Sequence, residues 1–172
     1  MNEKRLQLTL FIDKDKSELI EKIRKEFNPE QYELIKSHVT LCRDDELESI
    51  EKVTQNLMKL NHEYITFEPG PIVRFSNGKG VLIPSKADNE QFQRLREFIL
   101  RGVIINRANA EPHITLMHPR NSTCTDGIFQ QIEKIKLPNK LTFRKISLIE
   151  QEEKNKWHIL KEYELKEPTT RG

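Results

Sequence analysis

Two six-residue segments constrain the fold of this chain more than any other feature of its sequence. Residues 37–42 read SHVTLC and residues 112–117 read PHITLM, so each has His, a β-branched apolar residue, Thr, Leu and then a sulfur-containing residue. Side chains two positions apart on a β-strand point to the same face. His38 and Thr40 should therefore share one face of a strand, and the second segment should repeat this arrangement. The pattern predicts two equivalent strands, each with a His–Thr face and an apolar face.

The elements around the first segment follow one another in a simple order. Apolar residues alternate with polar ones in the first strand, and helical periodicity follows it, with Ser17 as the expected N-cap and Leu19 on the buried side. Asn28 and Pro29 should end that helix. The expected elements of the first half are a strand near 5–12, a helix at 17–27, a strand at 35–42, a helix from Asp44 or Asp45 to about residue 60 and a strand at 64–67.

The second half repeats this order of elements. Asn77 and Gly78 tolerate the positive φ of a tight turn, which predicts a β-hairpin there. The expected elements are the hairpin strands 72–75 and 80–83, a helix at 88–101, a strand at 113–117, a helix at 127–136 and strands at 141–149 and 157–160. We therefore expect one domain of two pseudo-symmetric halves, about residues 1–70 and 71–165, with a frayed tail at 163–172.

Composition excludes several classes of protein. The chain has 172 residues and a formal net charge of only +2, which does not suit a protein that coats duplex nucleic acid. Cys42 and Cys124 are far apart and form no zinc-binding pattern. There is no signal-peptide pattern at the N-terminus and no apolar run long enough to span a membrane. We expect a cytoplasmic monomer without a metal or other cofactor.

Two imidazoles and two hydroxyls on neighbouring strands suit the cleavage of a phosphodiester. One neutral His can accept a proton from the attacking group while the other, protonated, donates one to the leaving oxygen. The ordinary pKa of His, about 6.5, lets both states coexist near neutral pH. The hydroxyls of Thr40 and Thr115 can hydrogen-bond phosphate oxygens. The sequence therefore predicts His38 and His113 as an acid–base pair that needs no metal.

At these two motifs the sequence resembles the two-histidine (2H) phosphoesterase superfamily, which includes 2′-5′ RNA ligase-like proteins and cyclic phosphodiesterases. The resemblance covers residues 5–162 and implies an internally duplicated α+β fold, two-lobed, with antiparallel sheets around a central cleft and helices outside. It also implies that His38 and His113 are catalytic, that Thr40 and Thr115 bind phosphate, and that the partner is a nucleotide or RNA end carrying phosphate.

Other residues are weaker candidates. Phe11 lies on the polar face of the first strand, where it either stacks on a base or packs under a loop. Arg43 and Arg120 follow the two motif strands and either bind phosphate or face solvent. His118 has the wrong strand parity to join His113. His62 and His158 lie outside the motifs, and we expect both at the surface.

Three hypotheses follow from the sequence. The leading one is a phosphoesterase that acts on 2′,3′-cyclic phosphate or on 2′-5′ linked RNA or nucleotides. The second is a nucleotide- or RNA-binding module of the same fold without significant turnover. The third is an interaction scaffold whose histidines do not respond to phosphate. The sequence leaves open the physiological substrate and which histidine acts first as the base.

Overall fold

The computed structural model describes residues 3–103 and 110–169, and in these residues the fold is α+β. The strands are β1 (Lys4–Phe11), β2 (His38–Cys42), β3 (Ile65–Phe67), β4 (Val73–Phe75), β5 (Gly80–Pro84), β6 (His113–Met117), β7 (Leu141–Phe143), β8 (Lys145–Glu152) and β9 (His158–Glu164). The helices are α1 (Lys14–Phe27), α2 (Pro29–Leu34), α3 (Ile50–Met58), α4 (Glu90–Ile99) and α5 (Asp126–Glu133), with a 3₁₀ turn at Asp44–Glu46. None of the helices in this part of the chain combines the length and apolarity needed to cross a membrane.

Seven strands form one antiparallel sheet in the order β4-β5-β6-β2-β1-β8-β9. The two motif strands, β2 and β6, are neighbours in its middle. Strands β3 and β7 form a separate antiparallel pair. The apolar faces of both sheets join a single core with the helices, which contains Leu10 on β1, Val39 on β2 and Ile114 on β6. The antiparallel α+β architecture expected from the sequence is confirmed.

The duplication is more interwoven than the order of elements indicates. The run from β1 to β4 repeats in the run from β5 to β8, and the two repeats meet at the hairpin turn formed by Ser76, Asn77 and Gly78, which all have positive φ. The last strand of each repeat pairs with the first strand of the other: β4 with β5, and β8 with β1. The two sides of the sheet are therefore not the chain halves 1–70 and 71–165, because β8 and β9 lie beyond β1.

Both motif strands carry a register shift at the same place. Thr40 pairs with Thr9 but Cys42 pairs with Leu8, so Leu41 is an extra residue in β2. Likewise Leu82 pairs with Thr115 and Val81 with Met117, which leaves Leu116 extra in β6. A bulge sends two consecutive side chains toward one side, and the last two residues of both motif strands are buried. The shared Leu–sulfur ending of the two motifs is explained by this packing.

A buried ion pair supports the bulge in β2. Arg96 of α4 donates to the Leu41 carbonyl at 2.6 Å and binds both carboxylate oxygens of Glu46, at 2.9 and 2.6 Å. Burial by itself raises the pKa of Glu46, but the hydrogen bonds from Arg96 and from the Arg43 backbone lower it overall. Glu46 is therefore held as a carboxylate, and the pair ties α4 to the strand that carries His38.

Several boundaries predicted from the sequence are wrong. Helix α1 begins at Lys14, so Ser17 is not its N-cap but a buried residue inside the first turn, and Leu19 is 37% exposed. Pro29 ends α1 as expected but also begins the short helix α2. The helix expected from Asp44 to residue 60 is a 3₁₀ turn followed by α3. The strand expected at 141–149 divides at Arg144 into β7 and β8, which belong to different sheets.

The predicted tail also begins later than residue 163. Tyr163 and Leu165 are buried, and the backbone N–H of Leu165 donates to the Arg144 carbonyl. Lys166 bonds through its backbone to His62 and Tyr64. Residues 163–166 are therefore part of the folded structure, and residues 170–172 of the predicted tail lie outside the described residues.

Candidate active site

The structure brings the two His–Thr pairs together at the middle of the large sheet. Val39 and Ile114 are paired across the antiparallel strands β2 and β6. Residues one step to either side of such a pair also face each other, which puts His38 opposite Thr115 and Thr40 opposite His113. Opposite side chains have Cβ atoms roughly 5 Å apart and diagonal ones roughly 7–8 Å apart. The two imidazoles and two hydroxyls therefore form a two-fold symmetric group on one face of the sheet.

Both histidines are held by the same backbone contact. Nδ1 of His38 lies 2.7 Å from the Lys36 carbonyl oxygen, and Nδ1 of His113 lies 3.0 Å from the Glu111 carbonyl oxygen. A carbonyl can only accept, so Nδ1 must carry the proton in each ring. The neutral tautomer then leaves Nε2 free to accept a proton, as in sites where a second hydrogen bond orients a functional imidazole. Each ring is thereby positioned for proton transfer through Nε2.

The two rings differ in their access to water. His113 is exposed, whereas His38 is half-buried and its ring contacts the ring of Phe11. Burial lowers the pKa of His38 to about 4; the bond to the Lys36 carbonyl opposes this shift, and the positive charges of Arg24 and His113 add to it. At neutral pH His38 is therefore an uncharged imidazole, which suits a proton acceptor.

Gln7 is a residue of the site that the motifs do not reveal. Its Nε2 donates to the Thr40 hydroxyl at 3.1 Å and to the hydroxyl of the fully buried Thr9 at 2.7 Å. With one lone pair occupied by Gln7, the Thr40 hydroxyl still has its proton to donate to a phosphate oxygen. The period-two pattern of β1 places Gln7 on the face of Phe11, so the signal was present in the sequence. The sequence does not show that Gln7 contacts Thr40, because the register between β1 and β2 decides which of their residues meet.

Phe11 packs against a motif histidine. Its ring centroid lies 6.1 Å from that of His38 with an interplanar angle of 67°, an edge-to-face contact. The equivalent position in the second repeat is Pro84, which pairs with His113 as Phe11 pairs with His38. The larger ring of Phe11 covers more of its histidine than Pro84 can. This difference between two equivalent positions accounts for part of the unequal burial of the two imidazoles.

Comparison with known proteins identifies the family. Residues 12–155 match the model of the 2′-5′ RNA ligase superfamily. The chain belongs to this superfamily. The resemblance inferred from the two motifs is thereby confirmed, while a search of curated protein sequences found no significant match.

Solved structures share the fold of this superfamily member. Escherichia coli LigT complexed with phosphate has a TM-score of 0.64 and 16% identity, with 96% of this chain and 99% of LigT covered. LigT complexed with 3′-AMP has a TM-score of 0.63 and 15% identity over the same shares. A structure described as a phosphoesterase has a TM-score of 0.66 and 14% identity, covering 95% of this chain and 99% of its own. At these identities the likeness shows the fold alone.

The two arginine candidates of this superfamily member are not brought together. Arg43 follows β2 and binds Asp45 at 3.2 Å, with Glu46 at 3.9 Å. Arg120 lies beyond the end of β6, where its guanidinium contacts the His118 ring at 3.2 Å. Because β2 and β6 are antiparallel, these two arginines lie beyond opposite ends of the strand pair. Neither has a contact with a motif His or Thr among the contacts of the described residues.

The remaining histidines lie outside the His–Thr group. His118 accepts a hydrogen bond from the Arg120 backbone N–H at 3.1 Å and does not join His113, as its strand parity predicts. His158 is exposed and lies 3.5 Å from Glu150. The surface position predicted for His62 is only partly right, because its ring packs against Phe98 with centroids 4.7 Å apart.

Proposed function

We propose that this protein is a metal-independent phosphoesterase that acts on a 2′,3′-cyclic phosphate or a 2′-5′ phosphodiester of RNA or nucleotides. The observation that carries the proposal is the symmetric group of His38, Thr40, His113 and Thr115, in which both Nε2 atoms are free for proton transfer. Two positioned imidazoles can supply both the base and the acid of phosphodiester cleavage. The two hydroxyls supply donors for the charge that accumulates on the phosphate oxygens.

The unequal burial of the two rings supports different first roles for them. His38, neutral at pH 7, accepts a proton from water through Nε2 while the water oxygen forms a bond to phosphorus. The bond from phosphorus to one ribose oxygen breaks, and protonated His113 donates its Nε2 proton to that oxygen. The product is a ribose phosphomonoester, with His38 protonated and His113 neutral. A second proton exchange with solvent restores the starting state.

The ligands of the related structures support this ligand class. LigT has been solved with phosphate, with 3′-AMP and with ATP. A 3′-phosphorylated nucleotide is a product of opening a 2′,3′-cyclic phosphate at its 2′ oxygen. The same chemistry is proposed for the present chain because it has the fold of LigT and a His–Thr pair on each of the two central strands.

The test is the turnover of a nucleoside 2′,3′-cyclic phosphate. Removing a general acid or base costs about 10²–10⁴-fold in rate, so His38→Ala and His113→Ala should each lower turnover by at least ~10²-fold. His158→Ala is the matched control, since this histidine is exposed and Glu150 is its ion-pair partner among the described residues. The control should retain wild-type turnover.

Three outcomes would contradict the proposal. Near-normal turnover in either motif variant would contradict the acid–base assignment. Complete loss of wild-type turnover in a chelator would contradict metal independence. Tight binding of 3′-AMP, measured by calorimetry, with no turnover of any cyclic nucleotide or 2′-5′ linked oligonucleotide, would favour the binding module.

A further inference from the structure

The face of the sheet that carries the motif histidines has two unlike sides. On the β4–β5 side it presents Val73, Phe75, Leu82 and Pro84, which share this face because Leu82 pairs with Thr115 and Val73 pairs with Leu82. The Phe75 ring lies directly over Gly80, where a Cβ would be only 2.5 Å from it. Helix α5 does not cover this surface, because Arg74, on the opposite face of β4, binds Asp126 of α5. This side is apolar, and Val73 is 40% exposed.

The β1–β8 side of the same face is polar and cationic. Arg5, Gln7, Thr9 and Phe11 alternate along β1. They point to the face of His38, since Phe11 pairs with His38 and Thr9 with Thr40, and the pairing of β1 with β8 is regular from Lys4 to Thr9. Arg5 donates to the Gln151 side chain, and its guanidinium carbon lies 5.3 Å from the centre of the Trp157 ring. Arg5, Gln151 and Trp157 together are called the Arg5 cluster below. The protein holds this cluster in place, because Gln151 is only 3% exposed and donates its own hydrogen bond to the Asn155 carbonyl at 2.8 Å.

Arg5 has no anionic partner in the part of the chain that the structure describes. In residues 3–103 and 110–169 this guanidinium forms no ion pair, whereas Arg43, Arg74 and Arg94 each bind a carboxylate. The 3₁₀ turn that contacts β1 contains Asp45, but Arg43 binds that carboxylate. A half-buried arginine that is stacked on an aromatic ring and lacks an anionic partner suits an anionic ligand with planar groups.

The cluster is connected to the proposed reaction site. Gln7, between Arg5 and Thr9 on this face, donates to the Thr40 hydroxyl. Thr9, the partner of Thr40, lies four residue steps beyond Arg5. Four steps correspond to about 13 Å along a β-strand. One ribose and phosphate are shorter than this distance, so a ligand that contacts both Thr40 and the Arg5 cluster extends beyond the reacting ribose phosphate, as a second nucleotide of the same strand would. Cationic and aromatic side chains in a row are the usual means of binding single-stranded nucleic acid.

We propose that the Arg5 cluster binds the RNA strand to which the reacting phosphate belongs, so that the preferred substrate is an oligonucleotide end rather than a mononucleotide. Arg5 binds a backbone phosphate or stacks on a base, and Trp157 supports a base beside it. The apolar β4–β5 side offers no charge for a phosphate chain, which is why the strand follows β1. This inference rests on the proposed function.

The first experiment compares two substrates. One is a nucleoside 2′,3′-cyclic phosphate and the other is a tetranucleotide ending in the same group. Arg5→Gln and Trp157→Ala should each lower kcat/KM for the tetranucleotide at least about five-fold more than for the mononucleotide, since one base stack corresponds to roughly 5- to 150-fold in binding. Arg144→Gln is the matched control, because Arg144 also lies over an aromatic ring, Tyr64, at 5.9 Å but in the turn between β7 and β8. Arg144→Gln should change kcat/KM for neither substrate.

The second experiment measures the salt dependence of kcat/KM, which Arg5→Gln would not change if Arg5 had a purely structural role. With the tetranucleotide, log kcat/KM should fall with log salt, and Arg5→Gln should make that slope shallower by about 0.7, the value for one phosphate contact on a single strand. Equal slopes in wild type and variant, or equal losses on both substrates, would overturn the proposal.

Binding can be measured even if the chain has no turnover. Trp157 is the single tryptophan of the chain, so its fluorescence reports on the cluster alone. A tetranucleotide with a 3′-phosphate should quench it and 3′-AMP should not, and Arg5→Gln should raise the Kd of the tetranucleotide at least about five-fold. Binding of both ligands with the same affinity and no change in fluorescence would overturn the proposal, whereas absent turnover with intact quenching would overturn only the enzymatic function.

Discussion

Two histidines in equivalent positions have acquired different environments. His38 and His113 make the same bond to a carbonyl two residues earlier, yet only His38 is shielded by an aromatic ring at the paired position of the neighbouring strand. Removing a His from water disfavours its charged form. The duplication therefore supplies two similar groups, and a single difference between Phe11 and Pro84 helps to separate the roles of base and acid that we propose for them.

The burial of His38 predicts an unusual acidic limb in the pH profile. Its pKa of about 4 keeps Nε2 unprotonated throughout the neutral range. If His38 is the base, kcat/KM for a cyclic nucleotide should not fall as His38 becomes protonated until the pH approaches 4, well below the ordinary value near 6.5. Replacing Phe11 with Ala should move this limb to higher pH, because the imidazole regains water. A limb near 6.5 in the wild type would contradict the assignment.

The same pKa predicts how stability depends on pH. The folded pKa is lowered, so between about pH 6.5 and 4 the unfolded chain binds a proton at residue 38 that the folded chain does not. The free energy of unfolding should therefore fall as the pH falls through this window, by up to about 3 kcal/mol from this group. In urea denaturation at pH 7 and pH 4.5, His38→Asn should lose less stability than the wild type. Equal losses would show that burial does not control this pKa.

Among the elements, β2 depends on a contact that lies far away in sequence. Its bulge leaves the Leu41 carbonyl to be bonded by Arg96, whose guanidinium also binds Glu46 in the buried region. The second bulge, in β6, has the same register shift. The element that presents His38 and Thr40 is therefore held in place from α4, which belongs to the other repeat.

Breaking this buried pair should be costly. Removing one partner of a buried ion pair leaves an uncompensated charge and typically costs about 3–5 kcal/mol, so we expect a loss of that size in Arg96→Met by chemical denaturation. The double variant Arg96→Met with Glu46→Gln should recover part of the loss, because no charge remains buried. A loss below about 1 kcal/mol in Arg96→Met would show that the pair does not support β2.

Elements were predictable where periodicity is strong and were missed where a local signal competes with packing. The alternation in β1 and both motif strands predicted the strands and the face of each His–Thr pair. Ser17 is a good N-cap by residue type, but α1 begins three residues earlier, where the Asp13 carbonyl accepts the helical hydrogen bond of the buried Ser17. Leu19 has the right chemistry for the core and the wrong position on the helix. Arg144, which separates β7 from β8, carries no turn signal of its own.

For the whole molecule, the decisive feature is the exchange of strands between repeats. Strand β4 completes the sheet of the second repeat, and β8 completes that of the first. The exchange explains how a chain with two similar repeats forms one continuous sheet. It also places β2 and β6 side by side, since these are the inner strands at which the two repeats meet.

This exchange predicts that neither repeat is stable alone. Fragment 1–77 would lack β8, one of the two strands that pair with β1, and would leave β4 without β5, so a large edge would be exposed. We expect each of the fragments 1–77 and 78–172 to show no cooperative thermal transition by circular dichroism, and their mixture to regain one. A sharp transition in either isolated fragment would show that the repeats fold independently.

The sequence by itself determined the class of fold, the two motif strands and the sharing of one face by His and Thr, because these follow from the period of a β-strand. It also indicated Gln7 and Phe11 as neighbours on a common face. Only the tertiary structure decided that His38 faces Thr115, that Gln7 meets Thr40, that the two arginine candidates lie at opposite ends and that Arg5 lies on Trp157. These are contacts between strands, and strand order and register depend on the packing of the whole sheet rather than on any local pattern.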